Sequence, residues 1–274
     1  MSENFQDSYL LLHKNDWNAC LDTSLLCLRQ SWAQDWIGLP VVLKSCAAFL
    51  SLQAPALSLQ AHAMLSAALA VARMSEERFA MALSPSEPRY HNRLHTADVL
   101  TAMALQLDIE AQHSGISDSD SDWMCAALLA AIAHDYMHLG GVNEEVSQME
   151  KQTCELLRPI MKESKVDSVW TERVETAIIH SDFSLAAQNH ERVSGTEFAW
   201  NQPWLNVLLN EADLLASSHQ QFGPELSHAL AQEWKIIGFA AHETVATPEG
   251  RLVFLKSVKI SSRSAGLLNS ALKN

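Results

Sequence analysis

The sequence predicts an all-α protein, and three features support this prediction. Glycine and proline, which interrupt regular structure, number only 9 and 8 in 274 residues. Residue types that favour helices, above all Ala and Leu, are plentiful. No segment sustains the alternation of apolar and polar residues that is typical of a strand. With 48% hydrophobic and 19% charged residues, the chain can bury the core of one large domain.

Apolar spacing and the residues that interrupt it place the helices of the first half of the chain. They are predicted at 5–35, 41–53, 56–83, about 90–108 and 123–135. The alanine-rich third helix is expected to end at the turn SPSEP, because its two prolines cannot continue a helix. The segment 113–122 predicts a loop, and the apolar run WMCAALLAAIA that follows it predicts a central, buried helix.

The second half of the chain continues the same pattern. The glycines of LGG (139–141) are expected to break the buried helix. Further helices are predicted at 143–162, 167–182, 203–219, 223–241 and 250–271. We expect residues 1–55 to form an N-terminal helical layer on the domain of residues 56–274, the two being continuous.

Charge and cysteine content exclude several classes of function. The net charge of −13 and a pI near 5.3 disfavour binding to a nucleic acid polymer, because an acidic surface repels a phosphate backbone. The apolar stretches are too short for a membrane span, which needs about 20 residues. The N-terminus does not read as a signal peptide, and five scattered cysteines without a CxxC pair favour a reducing, cytoplasmic location.

Two short stretches, YHNRLHTAD (90–98) and HDYMHLGGVN (134–143), concentrate histidine and aspartate. On a continuous helix His91, His95 and Asp98 would share one face, being spaced i, i+4 and i+7. The pair His134 and His138 would likewise lie one turn apart. Imidazole nitrogens and carboxylate oxygens are ligands for divalent metals, so the stretches predict a metal site.

A further ligand is predicted in NEADLLA, where Asp213 has apolar neighbours and needs a compensating cation if it is buried. Each residue also has a plainer interpretation. A single helical histidine is more often structural than a ligand, and Asp213 could lie on a solvated polar face. Asp98 is better interpreted as a partner that fixes a histidine tautomer than as a ligand.

The two stretches closely resemble the signatures of the class I cyclic nucleotide phosphodiesterases, an all-helical family of His–Asp metal-dependent phosphohydrolases. The family pattern is YHNxxHAxDV followed by HDxxHxGxxN. This sequence departs from the first only at Thr96, and it keeps the second in full. IIHSDFS (178–184), NEADLLA and GRLVFLKSV (250–258) continue the resemblance more weakly, so that it covers roughly residues 75–260. It implies that residues 56–274 are the catalytic domain.

The resemblance implies a site with two divalent ions. Zinc is typical at the first position, held by His95, His134, Asp135 and Asp213. Magnesium or manganese is typical at the second, to which Asp135 would bridge. The residues implied in catalysis are His91 as general acid, Glu150 as the group that orients it, and His138. The residues implied in substrate binding are Tyr90, Asn143, Arg251 and Phe254, and His138 with Asn143 would also order water around the second ion.

The chemistry implied by the resemblance is hydrolysis of a 3′,5′-cyclic nucleotide to the 5′-monophosphate. A hydroxide shared by the two ions would attack phosphorus, and His91 would protonate the leaving 3′-oxygen. The partner is then a small nucleotide rather than a nucleic acid polymer or a membrane. The oligomeric state is left open, with a homodimer as one alternative.

One position departs from the family pattern. Arg251 stands where the family has a glutamine that reads the purine, three residues before the stacking aromatic Phe254. Arginine donates hydrogen bonds but cannot accept them. Either the base preference is altered, or the substrate is not a simple cyclic nucleotide, or the register is shifted. A surface position for Arg251 is an equal alternative.

Two other functions are compatible with these residues. The first is a phosphohydrolase of the same chemistry acting on another nucleotide or phosphodiester. The second is a metal or nucleotide sensor without catalysis. The sequence disfavours a sensor, because the acid histidine and every implied metal ligand are present.

Overall fold

A computed structural model describes residues 12, 16–52, 57–80, 87–115 and 120–268. The described residues form α-helices and two 3₁₀ turns, without any strand, which confirms the all-α prediction. The helices are α1 (Trp17–Gln34), α2 (Leu39–Phe49), α3 (Leu59–Ala80), α4 (Arg93–Ser114), α5 (Asp120–Ala133), α6 (Gln148–Glu163), α7 (Ser168–Ile179), α8 (Ala186–Arg192), α9 (Gln202–Ser218), α10 (Gly223–Ile236), α11 (Pro248–Ser257) and α12 (Arg263–Leu268). The 3₁₀ turns are Phe183–Leu185 and Ala240–Glu243.

Helix α4 lies at the centre of the molecule. Almost every residue from Leu94 to Ala111 is buried, because α1, α2, α5, α9 and α12 pack around it. Helix α5 is buried from Met124 to Ala133, as its uniformly apolar sequence predicts. The predicted N-terminal layer contributes α1 and α2 to this packing. Its proposed boundary near residue 55 lies among residues 53–56, outside the described part of the chain.

Both histidine-rich stretches depart from the continuous helix that their spacing predicted. Helix α4 begins only at Arg93, because the Asn92 side chain caps it by accepting a hydrogen bond from the backbone N–H of His95 at 3.0 Å. Helix α5 ends at Ala133, and Met137 has a positive φ of 68° in the turn that follows. The helical-face argument for His91 and for the pair His134 and His138 was therefore wrong.

Other boundaries differ where hydrogen bonds to a distant element interrupt a helix. The predicted helix 250–271 is two helices, because residues 261 and 262 donate their backbone N–H groups to Glu211 at 2.6 and 3.0 Å. Helix α8 was not predicted. Parts of the predicted N-terminal helix, the SPSEP turn, the 113–122 loop and the C-terminus fall outside the described residues. Among the helices that are described, none is long and apolar enough to cross a membrane.

Candidate metal centre and cleft

Three elements bring two histidines and two aspartates together. His95 lies in the first turn of α4, His134 and Asp135 directly follow α5, and Asp213 lies on α9. The Nε2 atom of His95 is 3.3 Å from Asp135 Oδ2 and 3.0 Å from Asp213 Oδ1. The Nε2 atom of His134 is 3.2 Å and 3.7 Å from the same two oxygens. The four residues predicted as metal ligands therefore converge on one point.

The donor atoms of this cluster fit a divalent cation. Nδ1 of His134 lies 2.9 Å from the carbonyl oxygen of Ala131, so in the neutral ring Nδ1 donates and Nε2 keeps its lone pair. The Nε2 atoms of His95 and His134 are buried and make no hydrogen bond of acceptable geometry. Ligand atoms of His95, His134 and Asp213 all lie within 4.8 Å of one another. Two imidazoles with carboxylates are a donor set that zinc accepts.

Within the cluster, the charged forms of the two histidines and the two aspartates are favoured although these side chains are buried. Burial by itself lowers the pKa of His95, but Asp135 and Asp213 outweigh it and raise this pKa to about 9. The pKa of His134 is raised in the same way. Burial raises the pKa of each aspartate, yet the two histidines reverse this and hold both carboxyl pKa values below their ordinary range. The carboxylates are thus ionised and available to a cation.

The predicted acid, His91, lies beside the cluster and is held by an unpredicted residue. Its Nδ1 forms a short hydrogen bond with a carboxylate oxygen of Glu233 on α10. The other Glu233 oxygen accepts the backbone N–H groups of Tyr90 at 2.8 Å and His91 at 3.1 Å. These bonds, against the effect of burial, keep the pKa of Glu233 below its ordinary value. His91 therefore presents Nε2 to the cleft.

The assignment of Glu150 as the residue that orients His91 is corrected by this geometry. Glu150 accepts a hydrogen bond from Asn143 Nδ2 at 2.9 Å, and Glu233 occupies the place against His91. Gly140 allows Glu233 this position, since a Cβ atom there would lie 2.9 Å from Glu233 Cγ. Sequence reasoning missed Glu233, although one signal was present. Glu233 lies seven residues after Leu226 and three after Leu230, so the three side chains share the inward face of α10.

The ring of His138 packs against the ring of His91, and its backbone N–H donates to the carbonyl oxygen of Asp135 at 2.9 Å. The two ring centroids lie 3.9 Å apart. The backbone N–H of Gly140 donates to Nδ1 of His138 at 2.9 Å, so the proton of the neutral ring is on Nε2. Burial, with the nearby His91, lowers the pKa of His138 to about 3. His138 is therefore a neutral N–H donor at the cleft.

Asp98 and Arg251 have partners different from those predicted. Asp98 is fully buried and binds Arg29 of α1 through two hydrogen bonds of 3.0 and 2.9 Å, not a histidine. The guanidinium of Arg251 donates to the backbone carbonyls of Ser217 and His219, each at 3.0 Å. The prediction that Arg251 contacts substrate is thus wrong, because its side chain is turned toward the end of α9.

These groups open into one cleft of about 760 Å³. Tyr90, Asn143, Glu150 and Phe254 line it together with His91, His134, Asp135 and Asp213, whereas Arg251 does not. The Tyr90 hydroxyl lies 2.8 Å from Ser217 Oγ. Five carboxylates line the cleft, those of Asp135, Glu150, Asp182, Asp213 and Glu249, and no Lys or Arg among the described residues does so. An anionic ligand would be repelled from this cleft unless bound cations compensate.

Comparisons with known proteins define the fold. No family model matches the sequence, and no curated protein matches it. The structure is similar to a solved structure of the Leishmania cyclic nucleotide phosphodiesterase LmjPDEB1 in complex with IBMX. The TM-score is 0.59 and the identity 13%, over 100% of this chain and 84% of that one. At this identity the likeness shows the fold: the chain has the all-α fold of a cyclic nucleotide phosphodiesterase.

Proposed function

We propose that this protein is a metal-dependent phosphodiesterase that hydrolyses a 3′,5′-cyclic nucleotide to the 5′-monophosphate. One observation carries the proposal. A cluster of His95, His134, Asp135 and Asp213, of which the last three line the cleft, lies next to His91, a histidine that Glu233 orients. Metal ligands beside an oriented proton donor are the parts that hydrolysis of a phosphodiester requires.

The cofactors we propose are two divalent ions, zinc at the His95 and His134 cluster and magnesium or manganese beside it. When bound, such ions lower the pKa of water and neutralise phosphoryl oxygens. The acidic lining of the cleft supports the proposal, because no described Lys or Arg is placed to bind a phosphate there. Asp135 contacts both histidines, and it is the carboxylate that would also hold the second ion.

The chain itself supplies the proton of the reaction. Glu233 fixes the ring of His91, so that protonated Nε2 can donate to the leaving 3′-oxygen as the phosphorus–oxygen bond breaks. His138, stacked on His91, offers a neutral N–H to a water or a phosphoryl oxygen without adding a second positive charge. Both N–H groups of the Asn143 amide are used, because Nδ2 donates to Glu150 and Asp182, and Oδ1 accepts from the backbone N–H of Met149. It therefore acts by holding the loop.

The test is hydrolysis of cyclic AMP, cyclic GMP and a panel of linear nucleotides with Zn²⁺, Mg²⁺ and Mn²⁺, with and without a chelator. We expect turnover of a cyclic nucleotide that the chelator abolishes and that added metal restores. Turnover without metal would contradict the mechanism. Full metal occupancy without turnover of any substrate would indicate a sensor, and preference for a linear substrate would favour the alternative phosphohydrolase.

Two variants separate metal binding from proton transfer. Asp213→Ala should lose bound zinc, whereas Asp35→Ala, an exposed aspartate at the end of α1, should retain it. His91→Ala should retain zinc and lose about 10²–10⁴-fold in kcat, the usual contribution of a general acid. Zinc content is measured by atomic absorption. Normal zinc binding by Asp213→Ala would remove Asp213 from the ligand set.

A further inference from the structure

We infer that His91, His138 and Glu233 form a separate zinc site, which fills when zinc is in excess and then disables the proton donor. These three residues are called the His91 group below, to distinguish them from the cluster around His95. Binding of an ion to the His91 group is measurable without any turnover. Its effect on catalysis rests on the proposed function.

The geometry of the His91 group suits a small cation. His91 precedes α4, His138 follows α5 and Glu233 lies on α10. Each offers one nitrogen or oxygen atom, and these three atoms all lie within 4.8 Å of one another. The ligand atoms of a four-coordinate zinc ion, with bonds of about 2.1 Å, are separated by about 3.4 Å. Side-chain shifts of about an ångström therefore bring the three atoms onto one ion.

The chemistry of the donor atoms selects zinc rather than magnesium. Two imidazoles and one carboxylate match the ligands that zinc accepts, whereas magnesium prefers oxygen atoms alone. His91 and His138 line the cleft, while the Glu233 side chain is almost fully buried behind them. An ion held by these three groups keeps its fourth position open to water from the cleft.

Both histidines can present a lone pair to the ion. Nδ1 of His138 accepts the backbone N–H of Gly140 at 2.9 Å, so this ring holds a single proton and is neutral, the form that binds metals. It binds through Nδ1 in place of this hydrogen bond, or through Nε2 after its proton moves to Nδ1. At His91 the proton shared with Glu233 leaves to solvent, and the ion takes its place between Nδ1 and the carboxylate.

Under the proposed function, an ion in the His91 group stops catalysis at the proton donor. With the ion on Nδ1, His91 keeps only the proton on Nε2, and its ring is no longer an imidazolium. A neutral imidazole bound to a metal releases this proton far less readily than an imidazolium does. The leaving 3′-oxygen then lacks an effective acid, so turnover should fall by about 10²–10⁴-fold, the contribution of a general acid.

Charge sets the order in which the two groups fill. The cluster around His95 contains the carboxylates of Asp135 and Asp213, which together compensate a divalent ion. The His91 group has one carboxylate, so its ion keeps one uncompensated positive charge. The rings of His91 and His95 lie 5.9 Å apart, so an ion in the first cluster repels an ion in the second group. The His91 group therefore fills second, and the tighter ion is best measured at zinc concentrations below this range.

Equilibrium dialysis against zinc, with Mg²⁺ in excess, counts the zinc ions bound by the full chain. We expect the wild type to bind one more zinc ion than His138→Gln, at a higher free concentration than the first. Loss of the ligand should weaken this ion by at least about 10–100-fold, the cost of removing even an outer partner of a metal ligand. His62→Gln, which alters an exposed histidine on α3, should bind as many ions as the wild type.

A second variant covers the case in which His138→Gln does not fold. Glu233→Gln preserves the shape of the side chain but replaces the carboxylate by an amide, a poor zinc ligand, and should also lose the weaker ion. Glu249→Gln is its control, because Glu249 lines the cleft at the start of α11 and is not one of the three proposed ligands. Circular dichroism verifies the fold of each variant. Retention of the weaker ion by either folded variant, His138→Gln or Glu233→Gln, overturns the inference.

A zinc titration of turnover, at fixed Mg²⁺, tests the effect on the acid. Turnover of a cyclic nucleotide by the wild type should rise as the first zinc ion binds and fall as the weaker one binds. His138→Gln starts from a lower turnover, which should not fall further over the same range. Undiminished wild-type turnover with the weaker ion bound overturns the inference. Absence of hydrolysis under all conditions overturns the proposed function, while the zinc counts still decide whether the site exists.

Discussion

At the scale of single residues, the orientation of the His91 ring depends on its contact with Glu233. Residue 91 precedes the first turn of α4, so the helix does not fix the direction of its ring. Glu233 supplies that direction through the imidazole and through two backbone N–H groups. Three bonds from one carboxylate therefore set both the position of the loop and the tautomer of the acid.

Replacing this carboxylate should lower the rate of reaction without removing the metal. We expect Glu233→Gln to reduce kcat by about 10²-fold or more, approaching the whole contribution of a general acid, with zinc content unchanged. The matched comparison is Glu150→Gln, which alters a hydrogen bond to Asn143 and should reduce kcat by a smaller factor. Steady-state kinetics of the two variants measure both changes in kcat. A greater loss in Glu150→Gln would restore the assignment made from the sequence.

The sequence predicted which residues converge in the His–Asp cluster better than it predicted their neighbours, for a physical reason. His95, His134 and Asp213 stand in local patterns that few other roles explain, such as an acid within an apolar helix. Glu233 is distant in sequence from His91, and its role depends on how α10 packs. The orientation of Arg251 depends on the rotation of α11 about its axis, which a helix with both faces partly exposed does not encode.

At the scale of elements, a buried ion pair links α1 to the central helix α4. Arg29 of α1 binds both oxygens of Asp98 on α4, one turn beyond His95. The Arg29 guanidinium also lies over the ring of Phe222, 4.4 Å from its centroid. Burial raises the pKa of Asp98 although Arg29 acts to lower it, so the carboxylate relies on this partner.

Removing the arginine should be strongly destabilising. We expect Arg29→Met to lower the free energy of unfolding by about 3–5 kcal/mol, because it leaves a buried carboxylate without its partner. The matched control is Arg158→Met, which removes the arginine of an exposed pair with Glu175 and should have a much smaller effect. Urea denaturation measures both. Equal losses in the two variants would contradict the importance given to the buried pair.

The segment between α11 and α12 is joined to α8 by a titratable contact. Nδ1 of His190 lies 2.7 Å from Ser261 Oγ, and the histidine is largely buried. Burial, with a smaller effect of Lys259, lowers the pKa of His190 from 6.5 to about 4. Between these two pH values the unfolded chain holds a proton that the folded chain does not.

The free energy of unfolding should therefore contain a contribution that decreases as the pH falls. A histidine with a lowered pKa stabilises the fold above about pH 6.5, and this stabilisation is lost progressively toward pH 4, by about 2–3 kcal/mol. His190→Gln removes the titrating group, so its stability should decline less steeply than that of the wild type over this range. Denaturation at a series of pH values provides the comparison. Parallel curves would show that His190 is not protected from protonation.

At the scale of the whole molecule, the metal cluster depends on the complete fold. The four residues of this cluster come from the start of α4, the end of α5 and the last turns of α9, elements that pack against one another around the centre. An unfolded chain does not hold these residues together. Metal binding and global stability should therefore be linked.

Free zinc should stabilise the protein by an amount that grows with its concentration. Above the dissociation constant, each tenfold increase should add about 1.4 kcal/mol to the free energy of unfolding. His95→Ala should abolish this dependence, whereas His62→Ala, an exposed histidine on α3, should retain it. Chemical denaturation in zinc buffers measures the slope. A slope that persists in His95→Ala would place the stabilising ion elsewhere.

The overall fold could be predicted from composition and periodicity, because the scarcity of helix-breaking residues leaves few alternatives to packed helices. The ends of individual helices could not be predicted in this way. The cap at Asn92 and the turn at Met137 are set by local hydrogen bonds, and the break after α11 by a carboxylate on another helix. At Asn92 and Met137 the two histidine stretches leave regular helices.

The contacts of Arg251 affect how the two sides of the cleft are held relative to each other. By donating to the last carbonyls of α9, this side chain ties α11 to the helix that carries Asp213. Hydrogen bonds within the chain therefore help to set the distance from the Asp213 carboxylate to the ring of Phe254. Under the proposed function, we expect ligands whose phosphorus atom and ring are separated by that distance to fit the cleft best.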